Sequence, residues 1–175
     1  KFLIEGSELI EKELENIERQ NLRKQLIHKD MHPENILYNV KTGEYKLIDT
    51  SELDYELLPR EITNSLSHFL FEELDIKNSA VGTIFDSYQR NYPLNKDEIN
   101  SIPIFWIDRL LGIYVYFSFL LINGTLNENE FCEQTKYIDK HFKFFIKGYS
   151  NLKSYFEKKH NLITGHQTHA KTHHI

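Results

Sequence analysis

Cysteine is nearly missing from these 175 residues: Cys132 is the only one. That excludes a disulfide framework and a thiolate-rich zinc centre, and it fits a reducing, cytoplasmic setting. Cys132 lies in a helix-like stretch and reads as small apolar filler. The seven glycines (Gly6, Gly43, Gly82, Gly112, Gly124, Gly148 and Gly165) are scattered, and no two are close enough for a glycine-rich loop over phosphates. Basic excess is also absent. A formal net charge of −5 argues against nucleic acid or an anionic membrane surface as partner. The acidic balance suits a cationic substrate and ordinary solubility alike. Long apolar runs are lacking: the longest, Leu110 to Ile122, falls short of the ~20 residues that span a bilayer and reads as a buried core helix. No secretory signal pattern stands at the start, and no internal repeat is present.

With 40% hydrophobic and 27% charged residues, the composition is that of a soluble globular domain with a sizeable core. Residues 7 to 24 read as a helix capped by Ser7, with Ile10, Leu14 and Ile17 at helical spacing. Gln25-Leu26-Ile27 is a short apolar run into a polar loop. Ile36 to Val40 and Glu44 to Ile48 read as two strands joined by Lys41-Thr42-Gly43, with glycine supplying positive φ. From Arg60 onward the pattern is helical. Ile62 to Leu74 carries Leu66, Phe69, Leu70 and Leu74 on one side, and Ala80 to Tyr88 follows. Asn95-Lys96-Asp97-Glu98 has the form of a capping box. Pro103 is expected to interrupt that helix, with a new one from Ile104 to Ile122. Asn127 caps a further helix to about Phe145, and a last one runs from Asn151 to Lys159. Residues 160–175 read as a disordered tail whose His166, His169, His173 and His174 match no structural zinc spacing. His68 and His141 read as surface or packing residues. The fold class expected is α+β, mostly helical, with one domain over 1–159.

The chemistry lies in His28-Lys29-Asp30-Met31-His32-Pro33-Glu34-Asn35, followed by Asp49. Phosphoryl transfer needs an acidic group to meet the attacking hydroxyl and oxygen ligands to hold Mg²⁺ on the phosphates. Asp30 is the candidate base. Asn35 and Asp49 are the candidate Mg²⁺ ligands, brought together because the hairpin folds Asp49 back beside Asn35. Pro33 stiffens the loop, and His28 can brace its backbone by hydrogen bonding.

His28 to Leu37 resembles the "HGDLHPGNIL" loop of the aminoglycoside/choline phosphotransferase family, with Lys29 and Glu34 standing where that family often has glycine. Leu47 to Tyr55 is similar to its "IDFEDADY" segment, and Pro59-Arg60-Glu61 also looks familial. The resemblance covers residues 25 to 61 strongly and the helical remainder weakly. It implies the C-terminal lobe of a protein-kinase-like fold, with ATP as co-substrate, Mg²⁺ as cofactor and a hydroxyl-bearing small molecule as substrate, such as an aminoglycoside, choline, homoserine or a sugar. Carried over by position, Asp30 is the base, with His28 in the catalytic loop. Asn35 and Asp49 bind the metal and nucleotide, and His32, Glu52 and Asp54 are substrate-side or loop-shaping groups.

A strand lysine, its helix glutamate and a phosphate-covering loop are not identifiable in the sequence. The nucleotide lobe is therefore expected upstream of Lys1, Phe2 to Gly6 is read as the tail of an interlobe hinge, and the chain alone is expected to bind Mg·ATP poorly. A protein kinase is disfavoured by His32 and by the lack of glycine after Asp49. The rival from another class is a non-catalytic, kinase-like binding protein of the spore-coat type.

Overall fold

Apolar residues at three- and four-residue spacings carry most of the chain into helices, and two short antiparallel strand pairs hold the polar loops between them. The computed structural model describes residues 2–18, 21–70 and 79–171. The side chains of Leu14, His68, Phe69, Leu70, His166 and His169 lie outside the described residues, as do Leu74, His173 and His174 entirely. The order is α1 (Phe2–Glu18), β1 (Lys24–Ile27), a 3₁₀ turn (Pro33–Asn35), β2 (Ile36–Tyr38), β3 (Tyr45–Leu47), β4 (Asp54–Leu57), α2 (Pro59–Leu70), α3 (Ser79–Asn91), α4 (Lys96–Ile122) and α5 (Glu128–Lys171). The expected class, α+β and mostly helical, is what the chain adopts.

The first half of α4 is the central element. Ile99, Ile102, Phe105, Trp106 and Ile107 are all but fully buried, facing Ile10 and Ile17 of α1, Ile62 and Leu66 of α2, and Phe142, Phe145 and Phe156 of α5. Trp106 stacks on Phe145 with ring centroids 4.8 Å apart. Asn95 caps the helix as expected: its side chain accepts from the Glu98 N–H, and Glu98 accepts from the Asn95 N–H. Pro103 does not interrupt it, contrary to expectation; α4 runs unbroken from Lys96 to Ile122. A mid-helix proline costs about 3 kcal/mol. Each large apolar side chain buried on either side of it returns roughly 1.5–3 kcal/mol, so the packed helix prevails.

Further features differ from the sequence reading. The first helix starts at Phe2, so the Phe2 to Gly6 segment is helical, and Ser7 lies within the helix rather than capping it, with its hydroxyl donating to the Ile4 carbonyl. Gly6 has a packing reason: a Cβ there would stand 2.7 Å from the Phe142 ring, so its absence lets α1 and α5 touch. The two expected C-terminal helices are one, α5, which Asn127 opens with a reciprocal pair of bonds to Glu130 and which continues past Lys159. Gly148 sits inside α5 with open space around it, and helical neighbours on both sides carry it through. The run from Leu110 to Ile122 is buried only at its start; Val115, Tyr116, Phe119 and Ile122 are exposed. By length and composition α4 could cross a membrane, yet its first half is committed to the core. Cys132 is exposed rather than core filler.

The strand pairs position the loops. β2 and β3 form the expected hairpin, with Ile36 opposite Leu47 and Gly43 at φ 73° in the turn. β4 was not anticipated. It pairs antiparallel with β1 from Lys24 opposite Leu57 to Ile27 opposite Asp54. Its partner lies some thirty residues upstream, so no local pattern announces it. The pairing delivers the chain into α2 directly beneath the His28 loop.

Candidate active site

β1 ends at the buried Ile27, and His28 follows, also buried. His28 Nε2 lies 3.0 Å from the Ile48 carbonyl oxygen, an acceptor, so the ring donates to it through Nε2–H. This bond ties the loop entrance to the end of the hairpin and makes His28 a positioning residue, the bracing role read from sequence. Lys29 then turns the chain with φ 67°, in the left-handed region where glycine is most at ease. Its peptide is held from both sides by α2. The Lys29 N–H donates to Glu61 Oε2 at 3.0 Å, and the Asn64 amide donates to the Lys29 carbonyl.

Asp30 comes next, half-buried. Asn35 Nδ2 donates to the Asp30 carbonyl at 2.8 Å and to Asp30 Oδ2 at 3.1 Å. His32 Nε2 stands 3.3 Å from the same Oδ2. The loop is thereby closed into a ring, and the 3₁₀ turn completes it with the Asn35 N–H donating to the His32 carbonyl. The Asn35 carbonyl accepts from the Ile48 N–H at 3.0 Å, which extends the hairpin by one rung. Asp49 follows directly after that rung, beyond the end of β3.

Asp49 also has positive φ, 54°, and an exposed side chain. Its Oδ1 accepts from the Ser51 hydroxyl at 2.6 Å and from the Ser51 N–H at 3.4 Å. Those two bonds hold the carboxyl below its ordinary range and keep it ionised at neutral pH. The Asn35 amide nitrogen is committed to Asp30, which leaves its Oδ1 as the neutral oxygen of this side chain. One carboxylate and one amide oxygen is a set that fits Mg²⁺, which fills its remaining positions with water and phosphate oxygens. Among the described residues no cluster of three His, Cys, Asp or Glu side chains gathers.

On the other side of the loop lies a cavity of about 230 Å³ between α2 and α4. Lys29 and Glu52 form its rim, Arg60 and Asn64 one wall, and Phe105 and Arg109 the other. Arg60 is fixed by an ion pair to Asp108 at 2.8 Å and by stacking on Phe105. Asp54, the last of the expected substrate-side acids, is exposed and pairs with Lys29 Nζ at 3.4 Å. His32 faces Asp30 rather than this cavity, and Glu52 reaches it. His141 is buried and bonded to the Tyr137 carbonyl, a packing residue as expected.

Three polar residues of this region were given no role from sequence: Glu61 (noted only within Pro59-Arg60-Glu61), Asn64 and Arg109. Glu61 and Asn64 stand three apart on the face of α2 that also carries the buried Ile62 and Leu66. Polar residues interleaved with a helix's apolar face were the available signal. Arg109 was visible as a charge at the edge of the apolar stretch of α4, where it marked a boundary and nothing more. Compared with family models, with curated proteins and with solved structures, the chain matches none.

Proposed function

We propose that this chain is the catalytic lobe, with a kinase-like fold, of an ATP-dependent phosphotransferase that phosphorylates a hydroxyl of a small molecule. The observation that carries the reading is the closed ring of Asp30, His32 and Asn35, tied to the hairpin through the Asn35–Ile48 rung and the His28–Ile48 bond. In this reading the ring supplies the Asp30 carboxylate, and the Asn35 and Asp49 oxygens serve the metal. Asn35 and Asp49 would hold Mg²⁺, which when bound neutralises the β- and γ-phosphates. Asp30 Oδ2 is engaged by Asn35 and His32, so Oδ1 meets the acceptor. The acceptor's hydroxyl oxygen forms the new bond to the γ-phosphorus as the bond from that phosphorus to the β,γ-bridging oxygen breaks. ADP leaves with that electron pair, and the hydroxyl proton passes to Asp30.

The isolated carboxylate is ordinary; its fixed position supports the assignment. General-base groups contribute typically 10²–10⁴-fold to rate. Asp30→Asn in the full-length protein, assayed for ATP-dependent phosphorylation of hydroxyl-bearing small molecules, is therefore expected to lower turnover by about two to four orders of magnitude with nucleotide affinity nearly unchanged. Unaltered turnover would remove Asp30 from the mechanism.

A further inference from the structure

The cavity between α2 and α4 is lined by a cation, Arg109, that has no carboxylate in ion-pair contact among the described residues. Its Nε is buried without a hydrogen-bond partner. The other two basic groups of the cavity are engaged: Arg60 with Asp108 and Lys29 with Asp54. A partly buried arginine whose Nε is shut off from water in this way is costly, because the lost hydration of that N–H is not replaced. Burial pulls its guanidinium down from the ordinary value, while the nearest acids, Asp30 first and then Glu52, pull it back up. It stays charged at neutral pH. Neither Asn35 nor Asp49 lines this cavity, so it stands apart from the oxygens assigned to the metal and nucleotide. Of the acids in the loop, Asp30 is the one whose charge favours the charged form of Arg109.

From this arrangement we propose that the cavity is the acceptor subsite and that Arg109 binds a carboxylate of the acceptor, which makes the substrate a small hydroxy acid rather than a cationic amino-alcohol. The subsite assignment rests on the phosphotransferase reading; the anion specificity rests on Arg109 alone. The guanidinium offers a planar pair of N–H donors suited to a carboxylate. The volume, about 230 Å³, suits a molecule of a few carbon atoms. Such an acid, held at Arg109, has its hydroxyl on the side of Asp30.

The test is binding, followed by NMR chemical-shift titration of the chain with glycerate and 4-hydroxybutyrate, with choline and ethanolamine as cationic contrasts and inorganic phosphate as a third arm. The expected result is saturable shifts at Arg109, Asn64 and Lys29 with the hydroxy acids. Arg109→Gln should weaken that binding roughly 10- to 100-fold, the loss of a charge-assisted contact, and Arg109→Lys should weaken it less. Unchanged far-UV circular dichroism of both variants separates lost binding from lost fold. Preference for choline or ethanolamine, hydroxy-acid binding indifferent to Arg109→Gln, or response to phosphate alone would each overturn the proposal. Because this titration contains no ATP, Arg109-dependent acid binding in a protein that never transfers phosphate would sustain the anion site and sink the phosphotransferase reading. Asp30-dependent phosphorylation of an amino-alcohol would do the opposite.

Discussion

The Lys29 N–H donates to the Glu61 carboxylate across 3.0 Å, and it does so from a left-handed backbone conformation that a lysine seldom adopts. The strand-to-loop turn is thus held open by a helix thirty-two residues later in the chain. A left-handed non-glycine residue costs roughly 1–2 kcal/mol. The side chain returns little, since its pairing with Asp54 is solvent-exposed at both ends. Lys29→Gly should therefore leave stability unchanged or raise it by up to about 1 kcal/mol, the gain being offset by the greater freedom of the unfolded chain. Lys29→Val should lower it, because a β-branched side chain resists this region further. Urea unfolding of both variants decides. Destabilisation by glycine comparable to that by valine would mean that the lysine side chain, not its backbone, holds the turn.

Stability should depend on pH through Glu98. This carboxylate is fully buried and receives the Arg23 guanidinium on both oxygens, at 2.7 and 2.6 Å, besides backbone N–H groups of Arg23 and Asn95. Burial alone would raise its pKa; the Arg23 bond and the two backbone donors outweigh that and hold it below the ordinary carboxylate value of 4.5. A carboxyl lowered by folding stabilises the native state above its unfolded pKa, and the contribution is lost as pH falls through the folded value. Unfolding free energy should therefore drop as pH is taken below about 4.5. Glu98→Gln should flatten that part of the profile and cost about 2 kcal/mol at neutral pH. That lies below the range for a wholly buried pair because Arg23 is 44% exposed and its charge is screened. An unaltered acid limb in the variant would assign the pH dependence elsewhere.

Glycine substitutions should move stability in opposite directions at two helical sites. Gly6→Ala places a methyl 2.7 Å from the Phe142 ring, in the contact between α1 and α5. Overpacking of that kind costs about 1–3 kcal/mol, more than the ~1 kcal/mol that alanine gains in helix propensity. Gly148→Ala, in α5 with open space around it, should realise that gain undiminished. Thermal unfolding of the two variants measures both. Equal stabilisation would mean that α1 does not press on α5.

What the sequence disclosed and what it hid divide along the length scale of the interactions. The hairpin, its glycine turn, the Asn95 and Asn127 caps and the meeting of Asn35 with the hairpin end at Ile48 are written in neighbouring residues, and the structure has them. The pairing of β4 with β1, the passage of α4 through Pro103 and the fusion of α5 across Gly148 were not legible, because each depends on partners far along the chain. The same holds within the site. Asp30 and Asn35 announce themselves by spacing, whereas Glu61, Asn64 and Arg109 acquire meaning only when α2 and α4 close on the loop.

The central claim is that the His28 loop and the hairpin end form one metal-and-base site. Manganese, a paramagnetic stand-in for magnesium, tests it by broadening the NMR signals of residues near the bound ion. The account predicts selective broadening of the Asn35, Ile48, Asp49 and Asp30 amides on addition of Mn²⁺. That broadening should be reversed by excess Mg²⁺ and abolished by Asp49→Asn or Asn35→Ala. Broadening centred elsewhere, or surviving both substitutions, would contradict it.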